Sequence, residues 1–190
     1  MKRRTFVHSL GLMSAIYSGA SLSKPKTVTS TSDSLPVDTR LKHEKFMRLA
    51  IEQAMKNPAY PFGAVIVNEI TGEVMAEGTN SAALNPTHHG EMVAIDDYVK
   101  KHGNQDWARM TLYTTGEPCP MCMSAIAWCG IPRVVWASSI AKIRASGIEQ
   151  ISISAEELAA KATEFYQADA LISGVLALEM DRIFELRSPG

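Results

Sequence analysis

Cysteine is scarce in this chain, three in 190 residues, which excludes a disulfide-held scaffold. No sign of charge dominates: 19 Lys and Arg stand against 20 Asp and Glu, a net charge of −1. The basic excess that marks most nucleic-acid-binding domains is therefore missing. No apolar run reaches the ~20 residues of a membrane-spanning helix, and no internal repeat is present. These absences leave an ordinary globular chain, 46% apolar and 21% charged, long enough for one domain with a sizeable core.

The first 20 residues, "MKRRTFVHSLGLMSAIYSGA", open on basic residues and continue as a mildly apolar stretch from Phe6 to Ala20. Ser18-Gly19-Ala20 offers the small residues of a cleavage site. Arg3-Arg4-Thr5-Phe6-Val7 resembles a twin-arginine export signal, which implies a periplasmic location and only transient membrane contact. The competing readings are a disordered leader that is no functional signal, on a cytoplasmic protein, and an uncleaved anchor. Residues 21–36, rich in Ser, Thr, Lys and Pro, read as a flexible linker. The folded domain is expected over 37–190.

Within that domain, Asp38 is a plausible N-cap for a helix reaching about Lys56, with Phe46, Met47, Ala50, Ile51 and Ala54 on one face. "GAVIVNEITGEVMAEGTN" (63–80) reads as a hairpin turning at Thr71-Gly72. Helices are predicted from the "HGEM" stretch to Gly103 and from Pro120 through "PMCMSAIAWC", with strands at "MTLYTT" and "RVVWA". A short helix at "SIAKIRASG", a short strand at "EQISIS", and helices at "SAEELAAKATEFY" and "GVLALEMDRIFELR" complete the pattern. Strands alternating with helices predict an α/β domain with one layered sheet.

Two stretches carry chemistry. Cys119-Pro120-Met121-Cys122 opens a predicted helix, with Pro120 suited to its first turn. The i,i+3 spacing turns both sulfurs to one side, and the positive helix end favours thiolates. A lone C-x-x-C remains ambiguous between a redox pair and half of a structural zinc site, so a third ligand discriminates. "NPTHHGEM" (85–92) offers one, again at a predicted helix start. On a regular helix His88 shares a face with Glu91 at i,i+3, whereas His89 at i,i+2 diverges from it. One histidine and two thiolates would leave a fourth zinc position open for water, the mark of a catalytic rather than a closed structural site. Glu91 would then serve as proton shuttle.

His89-Gly90-Glu91 followed by Pro118-Cys119-Pro120-Met121-Cys122 is the H-x-E…P-C-x-x-C pattern of zinc-dependent nucleobase deaminases. "FGAVIV", "EGTN", "NPTHHGE" and "TTGEPCPMC" each resemble an ordered segment of that superfamily, over roughly Phe46 to Ala137. The chain is most similar to the branch holding guanine deaminases and tRNA adenosine deaminases. The resemblance implies a three-layer α/β/α fold whose central mixed sheet has about five strands, with helices on both faces. It implies one Zn2+ per chain on His89, Cys119 and Cys122, and Glu91 as catalytic acid and base. Asn80 would hydrogen-bond the base, and the backbone near Ala64 and Glu117 would contact it. Phe62 and Trp128 are candidate pocket walls, with core packing the competing role, and Glu149 is a candidate acidic residue for base recognition. His88 is read as a bystander, Asn85 as a turn cap, and Gly90 as leaving room beside the metal. Cys129 is read as a buried thiol.

The balanced charge and the export signal favour a free nucleobase or nucleoside, a purine such as guanine foremost, over nucleic acid as the partner. The implied assembly is a homodimer. The alternatives are a tRNA adenosine deaminase and a non-enzymatic zinc-stabilised binding module.

Overall fold

The structure, a computed structural model, describes residues 27–187; the proposed signal segment and residues 21–26 of the linker lie outside them. Six strands form one sheet in the order β1-β6-β5-β4-β2-β3. They are β1 (Val28–Thr31), β2 (Gly63–Asn68), β3 (Val74–Thr79), β4 (Met110–Gly116), β5 (Arg133–Ser138) and β6 (Ala170–Ser173). β1, β6, β5 and β4 run parallel, and β2 and β3 close the other side antiparallel. The sheet is thus mixed, and one strand wider than the sequence implies.

The helices are α1 (Val37–Ala54), α2 (Gly90–His102), α3 (Pro120–Cys129), α4 (Ile140–Ala145), α5 (Ala155–Lys161) and α6 (Ala177–Leu186). Their division between two faces follows from the strands, because successive side chains point to opposite sides of a sheet. Ala64, Ile66, Leu112, Val134, Trp136 and Leu171 meet Ala94, Tyr98, Met123 and Ile126 of α2 and α3. Their neighbours Val65, Val67, Tyr113, Val135, Ala137 and Ile172 meet Phe46, Met47 and Ala50 of α1 and Met180 and Phe184 of α6. Strands buried on both faces lose the polar alternation of a half-exposed sheet and read as near-continuous apolar runs, which is what "GAVIV" and "RVVWA" are.

Two glycines set the helix–sheet distance that aligns the site. A Cβ on Gly63 would lie 2.3 Å from the Ala50 carbonyl oxygen, and one on Gly78 only 2.0 Å from that of Gly90. α1 and α2 therefore rest directly on the backbones of β2 and β3. Gly90 in turn faces the carbonyl oxygen of Phe62 and the backbone of Gly63. Its missing side chain makes room for the sheet, not for a metal as the sequence implied.

Several expectations are corrected. Residues 28–31 are not linker: they pair with β6 as an edge strand, joined by a short 3-10 turn at Ser32–Ser34. A mainly polar edge strand has no apolar alternation to betray it, yet its β-branched Val28, Thr29 and Thr31 suit the pleat. Pro36, not Asp38, caps α1, and Asp38 lies in its first turn. "EQISIS" forms no strand and takes no place in the sheet; the strand the sheet uses is "ALIS" (170–173), which sequence reading missed. α5 stops at Lys161, short of the predicted end.

Candidate active site

β4 ends at Gly116 and the chain passes through Glu117-Pro118 into α3, while the loop after β3 leads into α2. The two helix starts converge beyond the sheet edge. His89 is the N-cap of α2 and Cys119 the N-cap of α3, both in extended backbone, and neither side chain caps its own helix. Both are therefore free to face each other. Cys122 sits one turn into α3, behind Pro120.

His89 Nδ1 lies 3.6 Å from the sulfur of Cys119 and 3.6 Å from that of Cys122. The three donor atoms fall within 4.8 Å of one another. Zn–S and Zn–N bonds of ~2.3 and ~2.0 Å at a tetrahedral angle put nitrogen and sulfur ~3.5 Å apart, so the spacing fits a zinc ion. The donor chemistry fits as well. Cys119 is lowered to about 4, first by the hydrogen bond from the Cys122 thiol and then by His89. Cys122, which keeps the shared proton, is pushed up by the same contact and by burial. Contact with the Cys119 sulfur raises His89 despite desolvation. One proton held between two sulfurs is what a divalent cation displaces.

Glu91 stands in the first turn of α2, two residues after His89, and is buried. Burial is the main cause holding it above the usual carboxylate range, with the Cys119 charge adding to it. A carboxyl raised in this way holds a proton more readily than a free one, which suits a group that must both take and give protons. His88 is turned away: its Nε2 meets Asn85 Nδ2 at 3.0 Å, while Asn85 Oδ1 accepts from the Thr87 amide and hydroxyl. Asn85 does cap the turn.

His89 and Cys119 open into a cleft of about 620 Å3 lined also by Asn57, Tyr60, Phe62, Asn80, Pro86, Met121, Ile148, Glu149, Gln150 and Ile151. A larger concavity of about 820 Å3 lies between Met55–Ala59 and α6, but it holds no metal-ligating cluster, and the smaller cleft is the chemical one. Asn80 is buried at the cleft wall: its carbonyl accepts from Asn57 Nδ2 at 2.9 Å, and its amide donates to the Phe62 carbonyl. Phe62 lines the cleft and also packs on Phe184, with ring centroids 5.0 Å apart, so both proposed roles hold. Glu149 reaches the wall beside Gln150 and Ile151.

The Trp128 side chain does not line the cleft, and those of Ala64 and Glu117, expected to contribute backbone only, do not either. Trp128 is 77% exposed near the far end of α3, where it stacks on Phe165. Six residues of helix carry it ~9 Å along the axis from Cys122. Ala64 is fully buried in β2 between β3 and β4. Glu117 is buried too, and its carboxylate is spent on the amides of Ile140 and Ala155. Cys129 is only half-buried, against the α2–α3 core. Sequence reasoning also missed Tyr60, Ile148 and Ile151, since wall residues from separate loops have no shared periodicity.

A model of the cytidine and deoxycytidylate deaminase zinc-binding region matches residues 40–138. Guanine deaminase of Bacillus subtilis (strain 168) is 34% identical over 122 residues, 61% of this chain and 77% of that protein. The tRNA-specific adenosine deaminase of the same organism is 33% identical over 141 residues, 72% and 82% of the two chains. The solved guanine deaminase of Nitrosomonas europaea superposes with a TM-score of 0.64 at 21% identity, over 79% of this chain and 91% of that one, a likeness of fold.

Proposed function

We propose, for a chain that belongs to the family of the cytidine and deoxycytidylate deaminase zinc-binding region, the hydrolytic deamination of a free purine base, guanine foremost. Family membership makes it a zinc-dependent hydrolase of cyclic C–N bonds. The observation that carries the reading is the convergence of His89, Cys119 and Cys122 within 4.8 Å beside buried Glu91.

His89 Nδ1 and the two sulfurs would hold the ion, leaving a fourth position toward the cleft. Bound there, zinc supplies what the side chains lack, a means of ionising water near neutral pH. The protons are moved by Glu91. Its carboxylate takes one from the attacking water as oxygen bonds to the amidine carbon, and hands it to the adjacent ring nitrogen. It then takes the remaining hydroxyl proton and delivers it to the exocyclic amine. The C–N bond breaks, the carbonyl forms, and ammonia leaves. One carboxyl thus serves as base and acid in turn.

The cleft orients the base. Tyr60 and Phe62 offer aromatic surface and Asn80 an amide with both donor and acceptor. Glu149 can only accept when ionised, which complements the adjacent N–H donors of guanine's Watson–Crick edge. Supporting a small substrate over tRNA is the balanced charge of the chain, −1 overall. The test is ammonia release by the zinc-loaded protein from purines, pyrimidines, nucleosides, triazines and a tRNA. Turnover of guanine is expected; turnover of tRNA alone would overturn the substrate assignment. Absence of any turnover would point to a zinc-stabilised binding module.

The family resemblance supports a homodimer, to be decided by sedimentation velocity, where a monomer at micromolar concentration refutes it. Arg3-Arg4 supports twin-arginine export. Zinc loaded before transit would keep Cys119 and Cys122 from oxidising in the periplasm. Replacing both arginines by lysine should leave the protein in the cytoplasm, and unchanged export would refute the route.

A further inference from the structure

The Glu117 side chain joins the two ends of one segment. Its Oε2 accepts from the amide of Ile140, the first residue of α4, and its Oε1 from the amide of Ala155, the first of α5, each at 2.9 Å. These amides have no partner inside their own helices. The nearby N-cap serines reach different groups, Ser139 accepting from Lys142 and Ser154 from Glu157. The carboxylate and the serines together thus satisfy two amides at each helix start. Glu117 itself is fixed by its own amide, which donates to the Ser138 carbonyl at 2.7 Å, and it stands two residues before Cys119.

Between Ile140 and Ala155 lies the stretch that walls the cleft. Ile148, Glu149, Gln150 and Ile151 all line it, and Ile151 is 62% exposed. The stretch belongs to no strand and makes few backbone hydrogen bonds of its own, such as Ile148 to the Ile143 carbonyl at 3.4 Å and Ile153 to that of Ile151. Ile148 packs into the core and Arg144 donates to Ser152 Oγ; beyond these anchors the position of Glu149–Ile151 depends on where the two ends are held. We propose that Glu117 is a positioning residue for substrate recognition: one buried carboxylate clasps both ends of residues 140–155 and so places the Glu149–Ile151 wall opposite the metal ligands. Glu117 touches no reacting atom. It acts through the wall, and its consequence is substrate affinity more than the rate of the chemical step. The inference rests on the deaminase reading for its kinetic readout only.

Glu117→Gln keeps size and one acceptor oxygen but turns an NH2 group toward one of the two amides. The expected result is amide hydrogen exchange faster by about ten-fold or more across residues 146–155, with zinc stoichiometry unchanged. On the preferred base, KM should rise by about ten-fold while kcat falls by less than about three-fold. Unchanged exchange together with unchanged KM would overturn the proposal, as would a fall in kcat alone. Should the variant fail to fold, the wild-type protein decides. The Ile140 and Ala155 amides, although at helix starts, should rank with the core strands in exchange protection; rapid exchange at either refutes the clasp. If the wild type deaminates nothing, the kinetic arm lapses with the functional reading and the two exchange measurements still judge the clasp.

Discussion

At the residue scale, the site turns on which histidine faces the thiolates. Helix periodicity alone pairs His88 with Glu91, but His89 precedes the first helical residue as N-cap and escapes that periodicity. Its extended backbone lets an i,i+2 pair put imidazole and carboxyl on the same side. His89→Ala should therefore abolish stoichiometric zinc, whereas His88→Ala, losing only its contact with Asn85, should retain it; metal analysis of the purified variants decides. Glu91→Gln should preserve fold and zinc and lower ammonia release by ~100-fold or more, since a carboxamide neither takes up nor releases a proton near neutral pH. Glu91→Gln with more than about a tenth of wild-type turnover would remove Glu91 from the catalytic role. The cluster of His89, Cys119 and Cys122 was legible because chemistry restricts metal ligands to a few residue types at fixed spacing. Tyr60, Ile148 and Ile151 were not, because almost any apolar residue can serve as a wall. Trp128 misled for the same reason: a helix carries it away from the turn it follows in sequence.

At the element scale, the registration of α2 on β3 decides where His89 and Glu91 lie. With backbone atoms of Gly90 and Ala94 within 2.4 Å of where a Cβ on Gly78 would be, Gly78→Ala must push α2 outward. The expected cost is at the upper end of overpacking, ~3 kcal/mol, with weaker zinc binding in parallel. Urea denaturation and zinc titration would measure both, and an unchanged midpoint would mean that α2 is not held by this contact. Most elements were readable because apolar periodicity and punctuation by Asn57-Pro58, Thr71-Gly72 and Gly103 agree. The edge strand β1 and the short β6 escaped for a shared reason. A strand of four residues has no measurable period, and only the parallel pairing of Val28–Thr31 with Ala170–Ser173 defines it.

At the scale of the whole molecule, acid sensitivity should have a component unrelated to the metal. His43 of α1 is buried against Tyr113 of β4, with Nδ1 3.0 Å from the phenolic oxygen. Burial lowers its pKa, opposed by Glu69 and reinforced by Lys42. The unfolded chain, titrating near ~6.5, then binds a proton more readily than the folded one. Stability is full above that pH and declines as pH falls through it toward the lower folded value. Glu69, itself lowered below 4.5 after Lys42 and Thr111 outweigh its burial, acts in a more acidic window and does not mask this limb. Between pH 8 and 5 the denaturation midpoint of the apo wild type should fall further than that of His43→Gln, a difference in which the opposite contributions of the raised His89 and Glu91 cancel. An equal slope in both proteins would assign the acid loss elsewhere.

The sequence by itself determined the chemistry. H-x-E and P-C-x-x-C name a metal, its three ligands and the carboxyl beside them, because few side chains bind zinc and fewer do so at that spacing. It also determined the layered α/β class, through strands apolar on both faces alternating with helices. Only the tertiary structure decided what surrounds that chemistry. It brought two helix N-caps 30 residues apart in sequence to 3.6 Å, turned the expected contact Glu117 into a clasp, and sent Trp128 to the surface. The reason is that ligand identity is local and chemically restrictive. A cleft, by contrast, is assembled from distant loops whose positions are set by packing and by a few buried hydrogen bonds, none of which leaves a period in the chain.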